Sequence, residues 1–379
     1  MTGRWGSVAT VCVLLTVDEK VIVITGAAGF LGSALAVDLA CGHRVVAIDR
    51  RKPTDALLAA ARGTQWHRVD IGERGAVARA LRCARRSFGR LDFVVHLAAF
   101  YDFGTDWKSE YERTNLQGTL HVLRSACESG ARRVIFASSI AAMEPAPRGE
   151  TLTEQTPTSE YTAYAKSKSV GEKMVREATG HLPGVVLRIA GAFSDWCELP
   201  PLCSLIGLWA GRSPLRRLLV GQGTTGMPYI HRHDVVGIVR ACLDAHETLG
   251  PYEVLLASQQ GAVLHKDLFA ATGRADPGRA APAPILVSRR TASLGLGLRR
   301  AIGALTGRVP FERPWMLKYV DRPWLVDATY TREKLGWRCA EGMGILDRLP
   351  AILAHFRQDR RTWEERNSLR NQGRYAYYD

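Results

Sequence analysis

Tyr164 and Lys168 stand four residues apart in Tyr164-Ala165-Lys166-Ser167-Lys168, a spacing that puts both side chains on one face of a helix. A phenol titrates near ~10, so working as an acid or base at neutral pH requires lowering it by up to ~3 units, about 4 kcal/mol. A neighbouring ammonium is a perturbation of that kind. Ser139 precedes the pair by about 25 residues, at the end of the apolar run Val134 to Phe136, and can hydrogen-bond the same substrate oxygen. Alone, Tyr-x-x-x-Lys is common and its ordinary meaning is an exposed ion-dipole pair. The order of the features before it gives it weight.

A second constellation lies nearer the start. Thr25-Gly26-Ala27-Ala28-Gly29-Phe30-Leu31-Gly32 sits between a strand-like and a helix-like stretch. The first glycine permits a tight turn, the second lets backbone approach a pyrophosphate, and the third allows helix and strand to pack closely. The positive end of the helix then faces the phosphates. Asp49 closes the next strand, 17 residues past Gly32, where a carboxylate can accept both adenosine-ribose hydroxyls. Its charge opposes a 2′-phosphate and favours NAD, whereas Arg50 and Arg51 could accommodate that phosphate and keep NADP open. Asp70, in Val69-Asp70-Ile71, could accept from the adenine amino group or be a solvated turn acid.

The elements that must position these residues are well punctuated. Val21 to Ile24 is a short β-branched run, Phe30 to Leu39 is apolar-periodic, and Arg44 to Ile48 is a second strand. Phe93 to Val95, a helix over Glu110 to Cys127, Val134 to Phe136, a helix over Ala163 to Ala178, and Val185 to Leu187 continue the alternation. Such alternation predicts an α/β fold, a Rossmann-type doubly wound parallel sheet with a smaller, mostly helical C-terminal substrate-binding part. After Asp195 the rhythm breaks: Leu199 to Val220 reads as a loop plus an amphipathic helix, Val235 to Ala245 as a helix and Tyr252 to Leu256 as one more strand. The expected division is an N-terminal extension over 1–19 and a dinucleotide-binding domain over 20–198, with 226–262 returning to it. A substrate-binding part over 199–225 and 263–345 and a basic C-terminal helix and tail over 346–379 follow. His355 to Asp379 is expected to be a surface helix and a tail.

Composition bounds the rest. The 379 residues are 46% hydrophobic and 23% charged, with 36 Gly and 17 Pro, which excludes a disordered, collagen-like or disulfide-scaffold chain. The net charge of +14 is uneven: residues 1–198 hold 25 basic and 21 acidic side chains, residues 199–379 hold 26 and 16. No basic motif carries base-reading or stacking residues, so no nucleic-acid partner is expected. The eight cysteines are scattered without a Cys-x-x-Cys, so neither zinc nor a disulfide framework is expected, and a reduced, cytoplasmic setting fits. Val8 to Val17 is ten residues, too short to span a bilayer.

With these motifs in place, the chain resembles the extended short-chain dehydrogenases/reductases, the NAD-dependent epimerase/dehydratase family. The likeness runs from about Lys20 to Trp337. It includes His96-Leu97-Ala98-Ala99, Asn115 within Thr114 to Thr119, Ser138-Ser139, Tyr229 to Val235, and Lys334-Leu335-Gly336-Trp337. The resemblance implies that Tyr164 is the general acid/base and that Lys168 holds the nicotinamide ribose while lowering the Tyr164 pKa. It implies that Ser139 rather than Ser138 is the catalytic serine, and that Asn115 supports the helix and a proton-relay water. For the cofactor it implies Thr25, Gly26, Gly29, Phe30, Leu31 and Gly32 at the pyrophosphate turn, and Asp49 and Arg50 near the ribose. Asp70 and Ile71 would lie near the adenine, and Leu97, Ala98, Ala99 and Ile189 along the cleft. His231-x-His233-Asp234 could suggest a metal, but the resemblance makes it a packed loop-to-helix junction, and no metal is expected. A homodimer is the assembly implied.

Three departures from the family pattern narrow the chemistry. Ile140 and Ala141 replace the Asp-Glu pair of sugar 4,6-dehydratases, so dehydration is not expected. Ala142-Met143-Glu144 replaces the frequent Val-Tyr-Gly. Gly191 stands where nucleotide-sugar epimerases often place an Asn. The expected function is therefore reversible hydride transfer at a secondary alcohol or ketone carbon of a small molecule, lipid-like or sugar, with nucleotide-sugar epimerisation as the alternative and a non-catalytic nucleotide sensor behind both. Leu202, Leu205, Ile206, Leu208, Trp209 and Leu215 are expected to frame an apolar substrate pocket together with Pro277 to Phe311. Arg212, Arg216, Arg217, Arg289, Arg290, Arg299 and Arg300 suit an acidic headgroup or peripheral contact with an anionic membrane.

Overall fold

The computed structural model describes residues 19–102, 104–145, 147, 149–275, 283–306 and 311–367. The expected N-terminal extension therefore lies outside the described residues up to residue 18, as do parts of the expected pocket segment 277–311 and of the C-terminal tail.

Runs of Val and Ile whose side chains must be covered on both faces form the centre. Seven strands make one parallel sheet: β1 (Val21–Thr25), β2 (Arg44–Asp49), β3 (Gln65–Arg68), β4 (Phe93–His96), β5 (Arg133–Ser139), β6 (Gly184–Ile189) and β7 (Tyr252–Ala257). Their spatial order is β7-β6-β5-β4-β1-β2-β3, the doubly wound Rossmann-type sheet expected from the alternation. Every β1 residue is buried; Ile22 and Ile24 enter one hydrophobic core and Val21 and Val23 the other. The chain winds outward from β1 to β3, then crosses back to β4. The order thus reverses between β1 and β4, and in sheets of this kind the ligand crevice lies outside the carboxyl ends of the strands at that point. Thr25 pairs with His96, so both strands end at the same level.

Helices Phe30–Leu39 and Ala163–Ala178 have the bounds read from periodicity. The expected continuous helix over Glu110 to Cys127 is instead a π-helix, Tyr111–Gly118, running into an α-helix, Thr119–Glu128.

A third core builds the smaller part. Leu202, Ile206 and Trp209 of helix Pro200–Trp209 are buried there against Leu268, Phe269, Leu349, Leu353, Phe356 and Trp363. This corrects the expectation that the apolar row frames a substrate pocket: three of its large members are spent on packing, and Leu215 is 56% exposed. The C-terminal stretch expected to be a surface helix also buries one face. Helices Ile345–Gln358 and Arg360–Arg366 close this core. Arg366 and Glu198 form an ion pair at 2.7 Å with both side chains 3% exposed, and the guanidinium lies 4.8 Å from the Trp196 ring centre. A buried apolar-aromatic face outweighs the polar composition that made this stretch read as solvated. Among the described residues, no helix is long and apolar enough to cross a membrane.

Candidate active site

The glycine turn after β1 forms the floor of the crevice. Gly26 has φ +73, and a Cβ there would lie 2.9 Å from the Ala98 backbone nitrogen. A Cβ on Gly32 would lie 2.1 Å from the Gly26 oxygen. Neither position can hold a side chain, so turn and helix press together. Helix Phe30–Leu39 opens at Gly29 with no side-chain cap and no acid in its first turn. The positive end of this helix thus faces the place against the turn where an anion would lie. Such a backbone cradle beside a strand-end carboxylate fits a dinucleotide.

That carboxylate, Asp49, is already engaged. It accepts from the Ala28 N–H at 3.0 Å and from the Arg51 N–H at 2.9 Å, while the Arg51 guanidinium grips both oxygens at 3.1 and 3.2 Å. Arg51 also reaches over the turn, its Nη2 lying 3.3 Å from where a Gly29 Cβ would be. Arg50 is exposed, and its carbonyl accepts from Arg68. Asp70 accepts from the Gly72 N–H at 2.9 Å and from Arg113 at 2.7 Å. Burial pushes the Asp70 carboxyl up, but these two donors outweigh it and hold the group below its ordinary value. Ile71 and Ile189 are buried in the two sheet cores, so their side chains support the crevice from beneath. The Phe30 ring faces the Arg232 guanidinium at 5.4 Å, and Leu31 is half-buried against the first core.

The opposite wall is the turn after β4. Its Leu97 N–H bonds the Thr25 carbonyl at 3.2 Å and its Ala98 N–H bonds the Thr25 hydroxyl at 3.3 Å. His96 lies buried between the hydroxyls of Thr25, at 2.7 Å, and Thr119, at 3.0 Å. Burial, with Lys168 adding to it, pushes His96 down to about 3. It is a neutral strut.

Ser139 ends β5 and accepts from the Ala141 N–H at 3.1 Å. Ser138 points the other way and donates to Glu172 at 2.5 Å. Tyr164 and Lys168 share one face of helix Ala163–Ala178, whose Thr162 hydroxyl caps its first turn. Lys168 Nζ lies 5.9 Å from the Tyr164 ring centre and donates to the Ala137 carbonyl at 2.6 Å. Burial pushes the Tyr164 phenol up to about 12, with a Ser139 hydrogen bond pulling the other way. Burial also pulls Lys168 down to about 8 against the nearby Glu172 charge. This departs from the expected lowering of Tyr164: desolvation is the largest influence at both groups. Asn115, buried in the π-helix, donates to the Phe100 carbonyl and to Ser167 at 2.9 Å each and accepts from the Phe100 N–H at 2.6 Å. It ties the turn after β4 to the Tyr164 helix. The π-helix displaces this side chain from the position a regular helix would give it.

The sequence reading missed an aromatic wall beside this site. Tyr101 meets the Tyr164 ring edge-on at 5.3 Å, and Tyr161 contacts Trp315 at 5.9 Å and Tyr319 at 6.2 Å. The aromatic density of 100–111 and 315–324 was the available signal. At the other end of the chain's motifs, His231 caps helix Arg232–Asp244 by accepting from the His233 N–H at 3.2 Å, and buried Asp234 accepts from the Ala340 N–H at 3.0 Å.

A sequence profile of the NAD dependent epimerase/dehydratase family matches residues 22–257. The chain belongs to this family. It is similar to UDP-glucose 4-epimerase 4 of Oryza sativa subsp. japonica, with 29% identity over 184 residues, covering 45% of this chain and 48% of that one. It is also similar to sterol demethylase protein B of Methylococcus capsulatus, with 27% identity over 227 residues, covering 58% of this chain and 65% of that one. The chain thus spans about half to two thirds of the length of these relatives. Among solved structures it resembles UDP-glucuronic acid 4-epimerase from Bacillus cereus, in complex with UDP-glucuronic acid and NAD. The TM-score is 0.65 at 19% identity, covering 89% of this chain and 99% of that one. Its fold is that of the extended short-chain dehydrogenases/reductases.

Proposed function

We propose that this protein is an NAD(P)-dependent oxidoreductase acting reversibly at a secondary alcohol or ketone carbon, with Tyr164 as acid/base. The observation that carries the reading is the meeting of Tyr164, Ser139 and buried Lys168 at the carboxyl end of β5, one strand away from the β1/β4 crevice with its glycine turn. Gly26, Gly29, Gly32 and the helix they open would hold the pyrophosphate. Asp49 would take the ribose near Arg50, Asp70 the adenine, Leu97 to Ala99 the cleft wall and Lys168 the nicotinamide ribose. NAD, when bound, supplies the hydride acceptor and donor.

The chain's own residues handle the proton. With its phenol near 12, Tyr164 rests protonated, ready to donate to a ketone oxygen that Ser139 orients. In the reverse direction Tyr164 Oη must first lose its proton, and the Lys168 ammonium is the charge placed to offset the phenolate. Alcohol oxidation is therefore expected to climb from pH 6 to pH 9 by up to about tenfold per unit, whereas ketone reduction stays level below pH 8. Initial rates in both directions across that range check the sign.

Arg51 decides the second phosphate. Its guanidinium neutralises Asp49 at the ribose end, which offsets the repulsion that would exclude NADP. Arg51→Ala is expected to weaken NADPH binding by about tenfold, the worth of one charge-assisted contact, while NADH binding changes by less. Fluorescence titration with each nucleotide measures this.

The aromatic wall of Tyr101, Tyr161, Trp315 and Tyr319 supports a substrate with a flat or apolar face, and the likeness to sterol demethylase protein B favours a partly apolar one. A second reading, nucleotide-sugar epimerisation, is favoured by the likeness to a UDP-glucose 4-epimerase. An epimerase keeps its NAD through purification, so denaturing the purified protein and measuring released nucleotide separates the two. Stoichiometric NAD, with UDP-glucose epimerised and no net NADH, would establish the second reading. Net NADH formation with a hydrophobic secondary alcohol would establish the first. Either way the assembly is expected to be a homodimer, which light scattering tests.

A further inference from the structure

The helix Arg289–Thr306 wears its apolar side outward. Leu294, Leu298 and Leu305 are 77%, 65% and 90% exposed, and their spacings of four and seven residues put them on one face. On the opposite side Gly303 is buried and Ala292 and Leu296 are half-buried, while Gly295, Gly297, Ala301 and Ala304 are exposed. A monomeric soluble helix normally has the opposite arrangement, and an outward row of leucines marks an interaction surface.

The same region is continuous with more of the same chemistry. Strand Ile285–Val287 leads into the helix, with Ile285 and Leu286 45% and 53% exposed. It pairs with Leu218–Val220, which follows a turn carrying exposed Leu215 and Arg216-Arg217. Arg217 bonds back to the Ala283 carbonyl at 3.0 Å. Residues 283–306 hold four arginines (289, 290, 299 and 300) and no acid; Arg299 pairs with Glu312, while Arg289 and Arg290 are exposed at the helix start.

We propose that this face docks the protein on the surface of an anionic phospholipid bilayer. The leucine row enters the headgroup boundary and the arginines meet lipid phosphates. Charge selects this occupant over a second copy: a two-fold contact would set the same acid-free arginine segment against itself. The helix lies on the membrane, since none of the described helices is apolar enough to cross one. The inference does not depend on the chemistry proposed for Tyr164.

Flotation of the full chain with vesicles tests it. Vesicles of phosphatidylcholine containing phosphatidylglycerol are expected to carry the protein at low salt. Pure phosphatidylcholine should bind about tenfold less, and molar salt should release the protein. The combined variant Leu294→Gln, Leu298→Gln, Leu305→Gln is expected to lose about tenfold in binding to the anionic vesicles, with little change in melting temperature because these side chains are largely exposed. Failure to bind anionic vesicles, equal binding to both vesicle types, or full binding by the triple variant would overturn the proposal. So would a dimer in lipid-free solution that the triple variant abolishes, which would assign the face to a second copy.

Discussion

Tyr164→Phe is expected to cut turnover by about 10³- to 10⁴-fold while leaving NADH affinity within about twofold, the span of a positioned proton donor. The ring keeps its edge contact with Tyr101 and only the phenol oxygen is lost, so the crevice at β1 and β4 stays intact. Lys168→Ala should behave differently and damage both quantities. Its Nζ holds the Ala137 carbonyl next to Ser139 as well as facing Tyr164. The two variants, compared by steady-state rates and by NADH titration, separate a proton-transfer role from a positioning one.

Arg188→Met is expected to destabilise the protein by about 3–5 kcal/mol, the cost of leaving a buried charge unpaired. Arg188 on β6 grips Glu172 through two bonds of 3.1 and 2.8 Å, with both side chains 5% exposed. It also donates to the Thr156 carbonyl at 2.7 Å, and Ser138 completes the cluster from β5. This network pins the Tyr164 helix to the sheet one turn beyond Lys168. Adding Glu172→Leu to Arg188→Met should recover much of the loss, since the unpaired charge is then gone. Urea midpoints of the single and double variants measure the difference.

Much of the sheet was legible because glycines and β-branched runs punctuate it: helices Phe30–Leu39 and Ala163–Ala178 begin where the periodicity begins. What periodicity cannot show is what a face packs against. The row Leu202, Ile206 and Trp209 is amphipathic whether it lines a pocket or a core, and here helices from residues 345–366 cover it. In the π-helix, Asn115 bonds to Phe100 and Ser167, partners 15 and 52 residues away that no local pattern reveals. The aromatic wall joins Tyr161 to Trp315, which no local window connects. The Asp49–Arg51 grip was within reach, since the residues are two apart, but only their shared geometry shows that the carboxylate read as selecting NAD is ion-paired with Arg51.

Absorbance at 340 nm, followed for wild-type protein and Tyr164→Phe with NAD and a panel of hydrophobic secondary alcohols and UDP-sugars, tests the role of Tyr164 most directly. NADH is expected to form with the wild type on at least one member of the panel, at least about a thousand times more slowly with Tyr164→Phe, and with equal NADH affinity in both proteins. NADH forming equally fast in the variant, or a wild type that binds NAD yet oxidises nothing on the panel, would contradict that role.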